Sequence, residues 1–241
     1  MGKDSIGAVR VLAFDIFGTV VDWRSGVASQ VDRIAKDNNA QLDGGAFADA
    51  WRSRYLPSMD LVRRKELPWM NLDALHRRSA DELLTEFGVR EALDNSAREE
   101  LVRSWHHLPA WDDVRDGLSR LRKQYVLAAL SNGGFALLTH LIKEAAIPFD
   151  CVLSAELCEH YKPDREVYLM AARLLGVRPE EIMMVAAHKW DIEGAKVAGL
   201  RTAFVERSLE KGPNGRADRL SDVNVDVRAH DFLELAKNLG C

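Results

Sequence analysis

Cysteine is scarce in this chain: Cys151, Cys158 and Cys241 are the only three in 241 residues. An odd number without metal-ligand spacing argues against a disulfide framework or a thiolate metal site, and suits reduced thiols in a cytoplasm. Long apolar runs are also missing. No stretch reaches membrane-spanning length, and the first residues lack the apolar segment of a secretory signal, so neither a membrane nor export is expected. Charge of one sign is not in excess either. The formal net charge is −4, without a long run of either sign, which excludes nucleic acid or an anionic membrane as the main partner. Arg63-Arg64-Lys65 and His76-Arg77-Arg78 read as solvated helix faces. Internal repeats and low-complexity segments are absent too. What remains is a soluble, cytoplasmic globular chain, 47% hydrophobic, with enough material for one large domain or a core plus a smaller unit.

The organising stretch is Val9 to Asp22. An apolar, β-branched run of strand length ends on Asp15, and Gly18-Thr19 turns the chain directly afterwards. Buried parallel strands read like this, and open α/β sheets place their chemistry at the carboxyl ends of such strands. Asp15 is then either a reactive group at the lip of a crevice or a cap for the next turn. From about Trp23 to His107 the pattern is helical. Val27 to Ala35, Phe47 to Val62, Leu72 to Phe87 and Ser96 to Trp105 carry helical spacing, with a break at Gly44-Gly45 and Ser96 as a candidate N-cap.

From Trp111 helix and strand alternate. Strands are expected at Tyr125–Leu130, Cys151–Leu153, Ile182–Ala186 and Thr202–Val205, with helices at Val114–Lys123, Phe135–Ala146, Arg165–Leu175 and Ile192–Ala198. Val223–Val227 reads as an edge strand, Asp231–Leu239 as a closing helix, and Lys211–Gly215 as an exposed loop. The alternation argues for a parallel sheet covered on both faces.

Three further strand ends carry polar residues. Ser131-Asn132-Gly133-Gly134 supplies a hydroxyl, an amide and exposed backbone N–H groups, suited to an anion or simply to capping a helix. Tyr161-Lys162-Pro163-Asp164 puts Lys162 on the same rim, with Pro163 suited to the first helical position and Tyr168 able to swing over the same mouth. The last carries His188, Trp190 and Asp191.

In order and spacing, Asp15, Ser131, Lys162 and Asp191 resemble the four motifs of the haloacid dehalogenase superfamily. That resemblance implies a Rossmann-like, doubly wound, mainly parallel α/β core over 1–22 and 108–241. The helical stretch 23–107 resembles the family's small cap. It also implies that Asp15 is a nucleophile forming a covalent intermediate.

Most members are magnesium-dependent phosphatases, from which this sequence departs twice. Phe17 stands where their general acid would be, and Ala187 replaces a metal-holding acid, so the metal site is a poor one. The closer likeness is to the L-2-haloacid dehalogenase branch, through Asp15-Ile16-Phe17-Gly18-Thr19, Ser131-Asn132-Gly133, Tyr161-Lys162-Pro163-Asp164 with Tyr168, Trp51-Arg52 and Trp190-Asp191. Ala186 and His188 depart from its Ser and Asn.

The implied reaction needs no metal or cofactor. Ser131, backbone N–H groups and Lys162 would hold the carboxylate of a short 2-haloacid, while Asp15, assisted by Thr19, attacks C2. Arg52 and Asn132 would receive the halide against an apolar wall of Phe17, Trp190 and a cap residue, Leu67 or Trp69. Asp191 with Lys162, or alternatively His188, would activate water on the ester. His188 is either a helix-start residue bonded to backbone, or a base or halide donor that favours a small leaving group such as fluoride. His106 and His107 read as structural residues near a hinge. The partners implied are a small-molecule substrate and, as family members are often dimers, a second copy. A phosphohydrolase using another acid and a catalytically silent relative are the competing readings.

Overall fold

The computed structural model describes residues 7–213 and 215–241. β1 (Val11–Phe14) is wholly buried, as its apolar run requires, and forms the centre of a six-stranded sheet. The other strands are β2 (Val126–Ser131), β3 (Cys151–Ser154), β4 (Ile182–Ala186), β5 (Arg201–Val205) and β6 (Val227–Ala229). All neighbours pair in parallel, in the order β3-β2-β1-β4-β5-β6. β1 pairs through Val11–Phe14 with Val126–Ala129 on one side and with Ile182–Val185 on the other. The chain winds outward from β1 to β3, then crosses back to start again at β4. Such a reversal opens a crevice at the carboxyl ends of the two central strands.

Six helices intervene between β1 and β2 among the described residues, the first five of them in the stretch 23–107: α1 (Trp23–Asp37), α2 (Gly44–Ser53), α3 (Tyr55–Arg63), α4 (Leu72–Glu86) and α5 (Asn95–Arg103). Four of them start on an Asx cap, in which Asp22, Asp43, Asn71 or Asp94 accepts a backbone N–H three residues on. The remaining helices are α6 (Val114–Leu121), α7 (Phe135–Glu144), α8 (Arg165–Leu175), α9 (Lys189–Val197) and α10 (Phe232–Asn238). Among the described residues, no helix is long and apolar enough to cross a membrane.

Several expected boundaries move. Phe47–Val62 is two helices, divided at Arg54. Pro57 has no N–H to offer the carbonyl of Ser53, so the ladder stops there and restarts with proline in a first turn. The cap of α5 is Asp94, whose carboxylate accepts from Ala97 N at 2.8 Å, and Ser96 lies inside the helix. The break in the helical run falls at 38–43, just before the expected Gly44-Gly45, which open α2. Pro163 is not the first helical residue: the turn closes from Asp164 N to Tyr161 O at 2.9 Å, and α8 begins at Arg165. The edge strand starts at Val227, the residue that reaches Ala203 of β5. Of the expected Lys211–Gly215 loop, Asn214 lies outside the described residues.

Candidate active site

Asp15 follows β1 directly, and its N–H bonds the carbonyl of Val185 at 3.0 Å, so the sheet ladder itself delivers the carboxylate to the crevice. Its two oxygens have different neighbours. Oδ1 receives Lys162 Nζ at 3.0 Å; Oδ2 receives Thr19 Oγ1 at 2.9 Å and lies 3.1 Å from His188 Nδ1. Thr19 in turn accepts from Ala187 N at 2.9 Å, which ties the turn after β1 to the turn after β4.

Lys162 is fully buried and bridges two carboxylates, since its Nζ also bonds Asp191 Oδ2 at 2.5 Å. The other oxygen of Asp191 accepts from Tyr168 Oη at 2.6 Å. Tyr168 is therefore a brace beneath Lys162, not a residue at the mouth. Asn132 accepts from the backbone N of Lys162 at 2.7 Å and so fixes the lysine's main chain. Ser131 Oγ accepts from Gly133 N at 3.2 Å and caps its own turn.

A cavity of about 990 Å³ opens beside this network, with Trp23, Arg52, Tyr55, His188, Trp190 and Glu210 in its wall. Arg52 reaches in from α2, lying over the Tyr55 ring at 4.2 Å and the Trp23 ring at 5.3 Å. Its Nη1 is buried without a partner among the described residues, a donor free for an anion. Trp190 stacks on His188 at 5.7 Å. Phe17 is buried against the Trp105 and Tyr55 rings, behind Tyr55 of the cavity wall. Leu67 and Trp69 are not in this wall; Trp69 packs on Tyr161 at 4.8 Å, on another face. His106 and His107 lie outside the site, paired with Asp73 and Glu144.

The residue that sequence reasoning missed is Glu210. Buried on the loop after β5, its Oε1 lies 3.0 Å from His188 Nε2 and accepts from Trp23 Nε1 at 2.9 Å, with Arg52 Nη2 at 3.8 Å. The strand-end rule that found the other loops applies equally to Val205 and points to this fifth loop.

Electrostatics follow from these contacts. Burial alone would raise the pKa of Asp15, but Lys162 and His188 outweigh it and hold the carboxyl well below its usual range. Burial would likewise lower His188, yet Glu210 and Asp15 overcome it and push the imidazole up to about 10. Glu210 is brought down to about 2 against its burial, chiefly by His188 and then Arg52. Asp191 is raised by burial and by the nearby Asp15, with Lys162 opposing. Lys162 itself stays charged: two carboxylates more than offset the desolvation of its ammonium.

A divalent cation does not fit this donor set. Asp191 has both oxygens engaged, Asp15 is shared by an ammonium, a hydroxyl and an imidazole, and the next residue in line is Ala187. Hard oxygen ligands are too few, and the facing groups are cationic.

Residues 9–199 match the family model described as haloacid dehalogenase-like hydrolase. The chain belongs to that family. This hydrolase is 30% identical over 216 residues to an (S)-2-haloacid dehalogenase of Burkholderia cepacia, covering 84% of this chain and 85% of the relative. Its fold superposes on a defluorinating L-2-haloacid dehalogenase with a TM-score of 0.93 and 41% identity, covering 97% of this chain and 96% of that one. A second L-2-haloacid dehalogenase structure gives 0.91 and 42%, covering 96% of this chain and 100% of that one. The six-stranded parallel core is thus that of the haloacid dehalogenase fold.

Proposed function

We propose that this hydrolase converts short 2-haloalkanoic acids, with preference for the (S) enantiomer, to 2-hydroxy acids through an ester on Asp15 and without a metal. The observation that carries the reading is a buried carboxylate kept ionised by Lys162 and His188 beside a cavity walled in part by Trp23, Tyr55 and Trp190, with Phe17 where a phosphatase keeps its acid. An ionised Asp15 stripped of bulk water is a competent nucleophile towards a carbon bearing halogen. The partly apolar wall and the cationic Arg52 suit a small acid whose halogen departs as an anion. Named (S)- and L-2-haloacid dehalogenases among the similar proteins support the substrate class.

The roles follow from what each group has free. Asp15 attacks C2, expelling halide and leaving a neutral ester. Lys162, braced by Asp191, Tyr168 and Asn132, holds Asp15 in its charged form. Thr19 fixes the second oxygen of the nucleophile. Arg52, through its unpartnered Nη1, receives the halide against Trp190 and Phe17, and the Ser131 turn supplies backbone N–H groups for the substrate carboxylate. Asp191 has no free oxygen and no exposure, which supports bracing for it and leaves His188, at the cavity wall, as the group that meets the hydrolytic water. The likeness to a defluorinating relative, together with a charged His188 beside the nucleophile, supports fluoride as a leaving group too. We also take the helical stretch 23–107 as a cap over the core, because Trp23, Arg52 and Tyr55 complete the cavity from it. Three unpaired cysteines fit a reducing cytoplasm.

The experiment is halide release from chloroacetate, fluoroacetate and each enantiomer of 2-chloropropionate with EDTA present, beside Asp15→Asn. Release by the wild type and not by the variant is expected, with the (S) enantiomer preferred. Phosphate release from an aryl phosphate only when magnesium is added, without halide release, would overturn the reading.

A further inference from the structure

Glu210 is a buried carboxylate for which the reaction sequence above has no use. Its surroundings are built for it. Gly18, three residues after the nucleophile, adopts φ +89°, and a Cβ there would meet Glu210 Oε1 at 2.4 Å. The nucleophile's own turn is cut back to admit this side chain. Asp15, His188 and Glu210 then form one line: Oδ2 to Nδ1 at 3.1 Å, and Nε2 to Oε1 at 3.0 Å. Trp23 Nε1 holds the same Glu210 oxygen from α1.

We propose that Glu210 is the positioning residue that grips His188 by its far nitrogen and presents Nδ1 as the base for hydrolysis of the Asp15 ester. The proposal rests on the dehalogenase reading. In the resting enzyme the ring lies between two carboxylates and donates to both, and an imidazolium cannot take a proton. Alkylation of Asp15 changes that. The carboxylate becomes a neutral ester, halide leaves, and His188 keeps one anionic partner where it had two. Its affinity for a proton falls, and one proton departs to solvent with the halide. Glu210 retains Nε2–H, which fixes the tautomer with the Nδ1 lone pair facing Asp15. Water then adds to Cγ of Asp15, one of its protons passing to Nδ1. The ester C–O bond breaks, and the freed 2-hydroxy acid oxygen takes the other proton. Asp15 returns as a carboxylate beside an imidazolium, which is the starting state.

The charged groups around His188 bear this out. Asp15 after β1 and Glu210 after β5 touch it directly; Lys162 and Asp191 act on it through Asp15, and Arg52 of α2 through Glu210. Of these, only Asp15 loses its charge on ester formation, and the push of His188 up to about 10 in the resting state depends on both carboxylates.

The test uses chloroacetate with Glu210→Gln, Glu210→Ala and the reference His188→Asn, following halide, intact-protein mass and the pH profile of kcat. In Glu210→Gln, about one equivalent of halide per site should appear, followed by turnover slowed about 100-fold while the ester mass persists. The acidic limb of kcat should also move to lower pH, because a neutral amide supports the imidazolium less. Glu210→Ala should hold ester as His188→Asn does. Ester accumulation in His188→Asn but not in either Glu210 variant, with an unmoved pH profile, overturns the role of Glu210 and leaves the function intact. Absence of halide release and of ester in wild type and all variants overturns the function itself. Should the variants not fold, nitrogen-15 spectra of wild-type histidines decide: both ring nitrogens of His188 protonated at pH 8 supports the relay, and a neutral ring overturns it.

Discussion

Lys162 is the residue on which the site's charge balance turns. Its ammonium is sealed from water between Asp15 and Asp191, so Lys162→Met would strand two buried carboxylates. Breaking a buried pair from one side costs about 3–5 kcal/mol, and urea unfolding should show a loss of that size together with loss of halide release. Tyr168→Phe is milder. It removes the hydroxyl that donates to the Asp191 carboxylate at 2.6 Å and to its backbone carbonyl at 3.2 Å, and leaves Lys162 in place. Unfolding should show a loss of about 1–3 kcal/mol, as for other buried acceptors left unmet, with a fall in kcat and little change in KM. The motif residues were legible because each lies in a segment that follows a strand: Asp15 directly after β1, Asp191 in the first turn of α9 after β4, and Lys162 and Tyr168 on either side of the start of α8 after β3. What they bond to was not. Tyr168 turns inward to Asp191, and Asn132 turns to the lysine backbone, choices set by side chains from distant segments.

At the scale of elements, α9 packs on α8 through Gly194, and the contact shapes the site. A Cβ at that position would lie 2.7 Å from Tyr168 Oη and 2.7 Å from Pro163 Cβ. Gly194→Ala should therefore cost about 1–3 kcal/mol, as overpacking does, and lower activity by moving Tyr168 off Asp191. Thermal unfolding and halide release measure the two effects separately. Asp94→Ala removes only a cap from α5, far from the nucleophile, and should lower stability by about 1 kcal/mol with kcat unchanged. The alternation of strands and helices was readable from periodicity, whereas boundaries shifted where a competing local device acted. Pro57 divided one expected helix, and Asp94 took the cap from Ser96 because its carboxylate reached the free N–H of Ala97.

For the whole molecule, the relay couples stability to pH. His188 has its pKa raised from 6.5 to about 10 by folding, so its contribution is full below 6.5 and is lost as pH rises through 10. Glu210 has its pKa lowered from 4.5 to about 2, so its contribution is present above 4.5 and fades as pH falls through 2. The melting temperature of the wild type should therefore drop between pH 7 and pH 10, and His188→Asn should flatten that alkaline decline. A decline of equal depth in the variant would assign it to other groups.

The amino-acid sequence by itself determined the parallel α/β core, the helical stretch between its first two strands, and the strand-end rim that carries Asp15, Ser131, Lys162 and Asp191. Each of these is written in spacings of a few residues, because side-chain period and turn chemistry are local properties of a chain. Only the tertiary structure decided that Glu210 meets Trp23 across 187 residues, that His188 bridges it to the nucleophile, and that Trp23, Arg52 and Tyr55 wall the cavity while Trp69 does not. Such contacts have no local signature: they exist where a loop after one strand and a helix after another are brought to the same edge of the sheet.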